Sequence, residues 1–287
     1  MFKFSGKIVR SLSVVLLLAI TGCATQQMGS RSSVVDYLYP KKQQVAIEPG
    51  IAQLPLPLRV GIAFVPTDRL HRRGANPWAW ADHGANSLTE KEKLQIMDRL
   101  ASHFRQQDFI GDIQLIPSAY MRPQGSFDNL DQLKSMFGID VIALISFDQM
   151  QFSDESKKAL SYWTLVGAYL VSGQKNDTYT LLDTAVYDIS SRKMLFRAPG
   201  SSQVKGRSTP INLNEELRAD SKRSFDVAAE QMVQNLELEL VNFKQRLKQQ
   251  PADIQLSRRA GYSGGSGGTV LLILLISCFL WRLRCNR

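Results

Sequence analysis

The run Val141-Ile142-Ala143-Leu144-Ile145-Ser146-Phe147 is apolar throughout except for Ser146. A short uninterrupted run of this kind predicts a strand that is buried on both faces, as in the centre of a sheet. The chain has 287 residues, of which 44% are hydrophobic and 21% are charged. This is an ordinary globular balance, so we expect a packed core around the central strand.

The segments before this strand alternate between strand and helix. Val60, Ile62 and Phe64 alternate with smaller residues and predict a strand over residues 58–65. The sequence Ser87-Leu88-Thr89-Glu90 matches a capping box and predicts a helix that ends near Gln107. Its apolar face is expected to contain Leu94, Met97, Ala101 and Phe104. A strand over residues 112–116 and a helix over residues 128–137, with Gly138 as its C-cap, complete this part.

The pattern changes after the central strand. Residues 162–171 and 179–189 predict long strands, and residues 193–198 predict a returning strand. A helix is expected from Asn212 to about Lys248, because apolar residues recur there at spacings of three and four. These residues are Phe225, Ala229, Met232, Leu236, Leu240, Phe243 and Leu247. The order predicts an α/β (α+β) single domain, in which helices cover a mixed sheet and the last helix is long and amphipathic.

The N-terminus has the layout of an export signal. Lys3, Lys7 and Arg10 precede the apolar segment 12–20, which is too short to span a bilayer stably. The following residues Ile20-Thr21-Gly22-Cys23 resemble the lipobox of bacterial lipoproteins. That resemblance implies lipidation of the Cys23 thiol, cleavage before Cys23 and acylation of the new amine. Ala24 after the cysteine implies, by the enterobacterial sorting rule, transfer to the outer membrane.

The C-terminus carries a second sorting pattern. A Gly/Ser stretch over residues 262–268 precedes the apolar run 270–281, and Arg282, Arg284 and Arg287 end the chain. The run is short for a span but can cross when Thr269 and Leu283 are included. This order resembles the GlyGly-CTERM signal, in which the intramembrane protease rhombosortase removes the tail. The resemblance implies a cut at or near Gly264, Gly265, Gly267 and Gly268; an ordinary tail anchor is the open alternative.

A lipobox and a GlyGly tail on one chain resemble the rhombotarget lipoprotein family, which implies processing at both ends but no particular activity. The middle of the chain loosely resembles periplasmic lipoprotein domains of the CsgG and LpoB type. The residues that carry this second resemblance are 139–145, 185–189 and 193–196. Domains of that type bind or assemble with other proteins.

The expected organisation follows from these patterns. It comprises a signal peptide (1–22), a lipidated tether and extended lead-in (23–57), the α/β domain (58–250), a flexible linker with the Gly motif (251–268), a transmembrane helix (269–283) and a basic tail (284–287). Residues 24–35 are polar and Gln/Ser-rich, which is typical of a tether.

The position of the charge favours a membrane partner. The net charge is +9, from 35 Lys and Arg against 26 Asp and Glu. Six of the 35 bases lie in the two terminal segments, so 29 bases face all 26 acids in the middle. The basicity therefore belongs to the ends, and we expect no nucleic-acid partner.

Candidate binding residues cluster in the loop Arg69–Asn86. They are Arg72, Arg73, Trp78, Trp80 and His83. Tryptophans beside arginines can form a recognition surface, and the open alternative is that Trp78 and Trp80 fold back onto the core. His71, His83 and His103 have no metal-ligand spacing. His103 lies beside the apolar face of its helix and is expected either at the surface or as a core residue with satisfied hydrogen bonds.

Two classes of function remain open. The first is a non-catalytic binding or assembly factor that contacts the membrane, the lipoprotein-processing enzymes, a rhombosortase-like protease and an envelope protein. It would be an inner-membrane precursor that matures at the outer membrane or cell surface. The second is an envelope hydrolase with an unrecognised site. The sequence suggests no catalytic residue, cofactor or metal, and a pocket with converging polar groups would favour the hydrolase.

Overall fold

The computed structural model describes residues 26–40, 50–67, 71–73, 88–105, 107–155, 174–209, 212–249 and 254–259. The strands are β1 (Gln26–Arg31), β2 (Ala52–Leu56), β3 (Leu58–Phe64), β4 (His71–Arg73), β5 (Ile110–Ile116), β6 (Val141–Glu155), β7 (Gln174–Asp188), β8 (Met194–Ser208) and β9 (Ile254–Arg258). The helices are α1 (Val34–Leu38), α2 (Glu90–Phe104), α3 (Ser126–Phe137) and α4 (Leu213–Gln249). The predicted strand 162–171 lies outside these residues.

The central strand β6 organises a seven-stranded mixed sheet. β7 pairs antiparallel with β6 along its whole length. On the opposite edge of β6, β3 pairs parallel with the first half and β1 pairs antiparallel with the second half. β5, β4 and β8 then flank β3, β1 and β7 respectively. The predicted fold, a mixed sheet covered by helices, is confirmed.

The sheet has two opposite ends, which we call proximal and distal. At the proximal end β6 begins and β7 ends, and Val141 pairs with Asp188. At the distal end β6 ends and β7 begins, and Glu155 pairs with Gln174.

The long helix α4 covers one face of the sheet together with α2. The predicted apolar positions of α4 are buried, and Leu247 packs partly buried against the same core. Gly200 in β8 permits this packing, because a Cβ at that position would collide with the backbone of α4 at Ala228 and Met232. α1 and α3 cover the opposite face, where the Tyr37 hydroxyl donates to Asn129 Oδ1 over 2.8 Å.

The start of α2 differs from the prediction. Thr89, and not Ser87, is the N-cap: Glu92 N donates to Thr89 Oγ1 over 3.3 Å, and Thr89 N donates to Glu92 Oε2 over 2.8 Å. The sequence contains two overlapping capping-box patterns, and Glu90 instead accepts a hydrogen bond from Ser118 N. Leu94 was also wrongly placed, since it is 36% exposed whereas Ile96 and Leu100 are buried.

Four segments for which no strand was predicted form strands. Residues 26–31 of the predicted tether form β1, residues 52–56 of the lead-in form β2, and residues 254–258 of the predicted linker form β9. Residues 71–73 of the predicted loop form β4. β1 was missed because strand pairing uses backbone groups and does not require apolar side chains. A polar strand therefore lacks the alternation of apolar and polar residues by which strands are recognised in a sequence.

Candidate attachment ends and binding sites

Most of the predicted site residues lie outside the described part of the chain. These residues are Cys23, Trp78, Trp80, His83, Gly264, Gly265, Gly267, Gly268, Arg282, Arg284 and Arg287. Arg72 and Arg73 lie in β4, for which only the backbone is described. The binding loop, the lipidation site and the tail motif therefore stay predictions, but the structure describes the strands to which they connect.

The N-terminal connection lies at the distal end of the sheet. Gln26, the first residue of β1, pairs with Ser153 near the end of β6. Cys23 precedes Gln26 by three residues. A link of three residues spans at most about 10 Å, so the chain that follows Cys23 enters the sheet at its distal end after a short link.

The C-terminal connection lies at the proximal end. β9 pairs parallel with β2, from Ile254 beside Ala52 to Arg258 beside Leu56. The next residue, Arg259, donates its backbone N–H to Leu56 O over 2.9 Å. Its guanidinium Nη2 donates to Asp140 Oδ2 over 2.5 Å, directly before the start of β6.

Asp140 joins two arginines in a group that we call the clasp (Arg59, Asp140 and Arg259). Asp140 is only 7% exposed. Arg59 donates to both carboxylate oxygens, from Nη2 to Oδ1 over 3.0 Å and from Nε to Oδ2 over 3.1 Å. The hydrogen bond to Asp140 raises the pKa of the Arg59 guanidinium. A nearly buried carboxylate with two cationic partners is a strong attachment point, so the clasp fixes the C-terminal arm to the proximal end.

The two connections are therefore at opposite ends of the domain. Thirteen residues of chain, almost all in β6, separate Asp140 from Ser153. At about 3.3 Å per residue, the two ends lie about 40 Å apart. No local sequence pattern predicts this separation, because it depends on which part of β6 each terminal strand reaches.

An apolar cavity lies between the sheet and the two helices α2 and α4. Its volume is about 80 Å³, and all sixteen described residues that line it are apolar. They include Phe104, Phe109, Phe196 and Phe243. An apolar cavity of about 150 Å³ accommodates benzene, so this one suits a short aliphatic group and offers no group for chemistry.

A polar groove of about 660 Å³ lies between α2 and α4 on the surface. There the His103 imidazole contacts the Glu237 carboxylate, and the side chains are 39% and 52% exposed. Ser102 also lines the groove, but its hydroxyl donates to Arg99 O of its own helix over 2.9 Å. His103 therefore takes the surface position, one of the two expected for it, and Ser102 and His103 form no nucleophile–base pair.

Polar side chains fill the interface between α4 and the distal half of the sheet. Gln149 Nε2 donates to Thr180 Oγ1 over 2.8 Å, and Ser221 Oγ donates to Gln149 Oε1 over 2.7 Å. Gln151 Nε2 donates to Leu217 O over 2.8 Å. These buried hydrogen bonds fix the register of the helix on the sheet, because a shifted helix would leave them unsatisfied.

Two buried oxygens in this interface lack a hydrogen-bond partner among the described residues, Gln151 Oε1 and Asp220 Oδ2, and the second belongs to an ionisable group. Asp220 is 2% exposed. Burial raises the pKa of its carboxyl, the Glu216 charge adds to the increase, and Arg223 opposes it. The charged form of Asp220 therefore destabilises the fold.

We expect Asp220→Asn to stabilise the domain at pH 7 by on the order of 1 kcal/mol. A raised pKa in the folded state favours the protonated acid, whose stabilising effect is present below the unfolded pKa and is lost as the pH rises through the folded pKa. The gain from the substitution should therefore vanish below about pH 4. Thermal unfolding from pH 3 to pH 8 measures this difference. Glu230→Gln, at an exposed position of the same helix, is the control, and equal gains from Asp220→Asn at all pH values would contradict the account.

Comparisons with known proteins give little guidance. No family model matches the chain, and no curated protein matches it. A solved structure that is similar in part is protein XCC0632 from Xanthomonas campestris, described with the family model DUF330. Its sequence identity is 12% and its TM-score is 0.31, over 70% of this chain and 97% of that chain. At this level the likeness carries no argument about function.

In the described part of the chain, no helix combines the length and the apolarity that a membrane crossing needs. The predicted transmembrane segment 269–283 lies outside that part.

Proposed function

We propose that this chain is a bacterial lipoprotein that is processed at both ends. Acyl chains on Cys23 hold it to the membrane, and a rhombosortase-type protease removes its C-terminal tail. The mature protein resides at the outer membrane or the cell surface. There the domain acts as a non-catalytic binding or assembly factor for an envelope partner.

One observation carries this proposal. The first described strand, β1, begins at Gln26, three residues after Cys23, and the last described strand, β9, ends at Arg258, six residues before Gly264. Cleavage before Cys23 and cleavage at residues 264–268 would both leave every described strand pairing intact. Both proposed processing events are therefore compatible with the described sheet, because neither removes a residue of β1 or β9.

The described cavities favour binding over hydrolysis. The enclosed cavity is lined by apolar side chains, which suit an aliphatic group but cannot transfer a proton. In the polar groove, the hydroxyl nearest to His103 in sequence is bonded to a backbone carbonyl. A hydrolase needs a nucleophile or an activated water beside a base, and neither cavity supports such an arrangement.

Intact-mass measurement of the membrane-extracted protein tests the proposal. Chains from cells that contain the sorting protease should lack residues 1–22, should carry two or three acyl chains and should end at or near Gly264–Gly268. Chains from cells without the protease should keep the tail and the same acyl chains. An unacylated Cys23, or a tail that persists in both strains, would refute the proposal.

A further inference from the structure

We infer that removal of the tail changes how the domain sits on the membrane. The inference rests on the proposed lipidation of Cys23 and the proposed crossing of the tail. The uncut chain is held to the bilayer at both ends of the sheet and lies along the membrane. The cut chain is held only at the distal end, and its proximal end is free to move away from the bilayer.

The first step is the short N-terminal link. β1 begins three residues after Cys23, so the acyl chains attach almost directly to the distal end. A link of three residues is too short to let the sheet move far from the lipid, so the distal end stays within about 10 Å of the bilayer surface.

The second step is the reach of the C-terminal link. The nine residues 260–268 join Arg259 to the predicted transmembrane segment. Their fully extended length is about 30 Å, and the r.m.s. reach of a flexible Gly/Ser-type chain of this length is roughly 17 Å. The clasp and the β2–β9 pairing prevent the arm from lengthening, because they hold Arg259 beside Asp140.

The third step compares this reach with the size of the domain. Arg259 is attached about 40 Å from the distal end, so even a fully extended link cannot let the sheet stand upright on a bilayer that also holds the tail. At the r.m.s. reach, the long axis rises only about 25° from the membrane plane. A cut at residues 264–268 removes this restriction.

Energy transfer from single labels to acceptor lipids measures the orientation. One variant carries its label at the distal end, through Lys175→Cys. A second variant carries its label at the proximal end, through Met194→Cys, where the side chain is 48% exposed. Both variants also carry Cys278→Ser and Cys285→Ser, so each full chain has one free thiol besides the acylated Cys23. The chains are reconstituted in phospholipid vesicles before and after treatment with the sorting protease.

We expect the label at position 175 to stay close to the bilayer in both states. The label at position 194 should move away by about 20 Å after cleavage, from near the r.m.s. reach of the link toward the full length of the domain. In an uncut control, about 20 Gly/Ser residues inserted after Arg259 should move position 194 in the same direction by about 13 Å, because they extend the r.m.s. reach from about 17 Å to about 30 Å.

The outcomes separate the inference from the proposed function. If mass measurement shows that Cys23 is acylated and the tail is cut, but position 194 keeps its distance, then only the inference fails. The same holds if the insertion leaves position 194 close, since adhesion of the domain surface would then hold it down. If Cys23 is unacylated, the proposed function fails and the inference fails with it.

Discussion

Cys23→Ser should abolish acylation and remove the domain from the outer-membrane fraction. A serine hydroxyl is a much poorer nucleophile than a thiol, so the diacylglyceryl transfer that the lipobox implies cannot proceed. Membrane attachment by lipid contributes about 0.8 kcal/mol per buried CH₂ group, and losing two or three chains removes stable anchoring altogether. Labelling with radioactive fatty acid and membrane fractionation measure both effects, and the variant should collect in the soluble fraction or as an uncut precursor.

The tail provides a matched control for this substitution. Cys278→Ser with Cys285→Ser removes the other two thiols of the chain. Because the tail is expected to be cut off, the mature double variant should keep its label and its location. The lipoprotein interpretation would be refuted if the Cys23→Ser variant still carried fatty acid when Cys278 and Cys285 are also replaced.

The domain itself should tolerate the loss of Cys23. The described strands begin at Gln26, and β1 is held by backbone pairing to β6 over six residues. We therefore expect Cys23→Ser to leave the free energy of unfolding within about 0.5 kcal/mol of the wild-type value. This separates a change of location from a loss of folding.

The elements with strong apolar patterns were predictable from the sequence. The run 141–147 marks the central strand because both of its faces are buried, and the three-and-four spacing from Phe225 to Phe243 marks the face of α4 that covers the sheet. Gly138 has a left-handed conformation, with φ 64°, and is the C-cap of α3, as its sequence position predicts.

The elements at the two ends were not predictable in this way. β1 and β9 are held by backbone pairing, and residues 255–258 of β9 are all exposed, so this strand has no buried apolar face. β8 also extends to Ser208, ten residues beyond the predicted strand end at Ala198. Pro199 and Gly200 interrupt its strand pattern, but β8 pairs only with β7 among the described strands, and an edge strand tolerates proline.

The attachment geometry depends on contacts between residues that are far apart in sequence. The clasp brings Arg259 to Asp140 across 119 residues, and β1 reaches the end of β6 from the opposite terminus. A sequence shows which side chains can form a charged pair but not which of many candidates meet. The separation of the two attachment ends was therefore accessible only from the structure.

Replacing Gly264, Gly265, Gly267 and Gly268 with leucine should block removal of the tail and keep the full-length protein in the inner membrane. Glycine exposes backbone and favours local unwinding, which an intramembrane protease requires, whereas leucine lengthens the apolar helix. The uncut helix cannot leave with the acyl chains, because transfer of the three terminal arginines through hydrocarbon costs at least roughly 2.5 kcal/mol each. Fractionation with intact-mass measurement reads the length and the location of the same molecule.

Gly261→Leu is the control for this prediction. It adds one leucine upstream, where residues 262–269 separate it from the apolar run, so cleavage and export should proceed as in the wild type. The four-leucine variant should also keep its domain along the membrane, because its short link still joins the proximal end to the bilayer. Normal trimming of that variant would show that the glycines do not control cleavage. Recovery of the uncut variant at the outer membrane would show that the terminal arginines do not retain it.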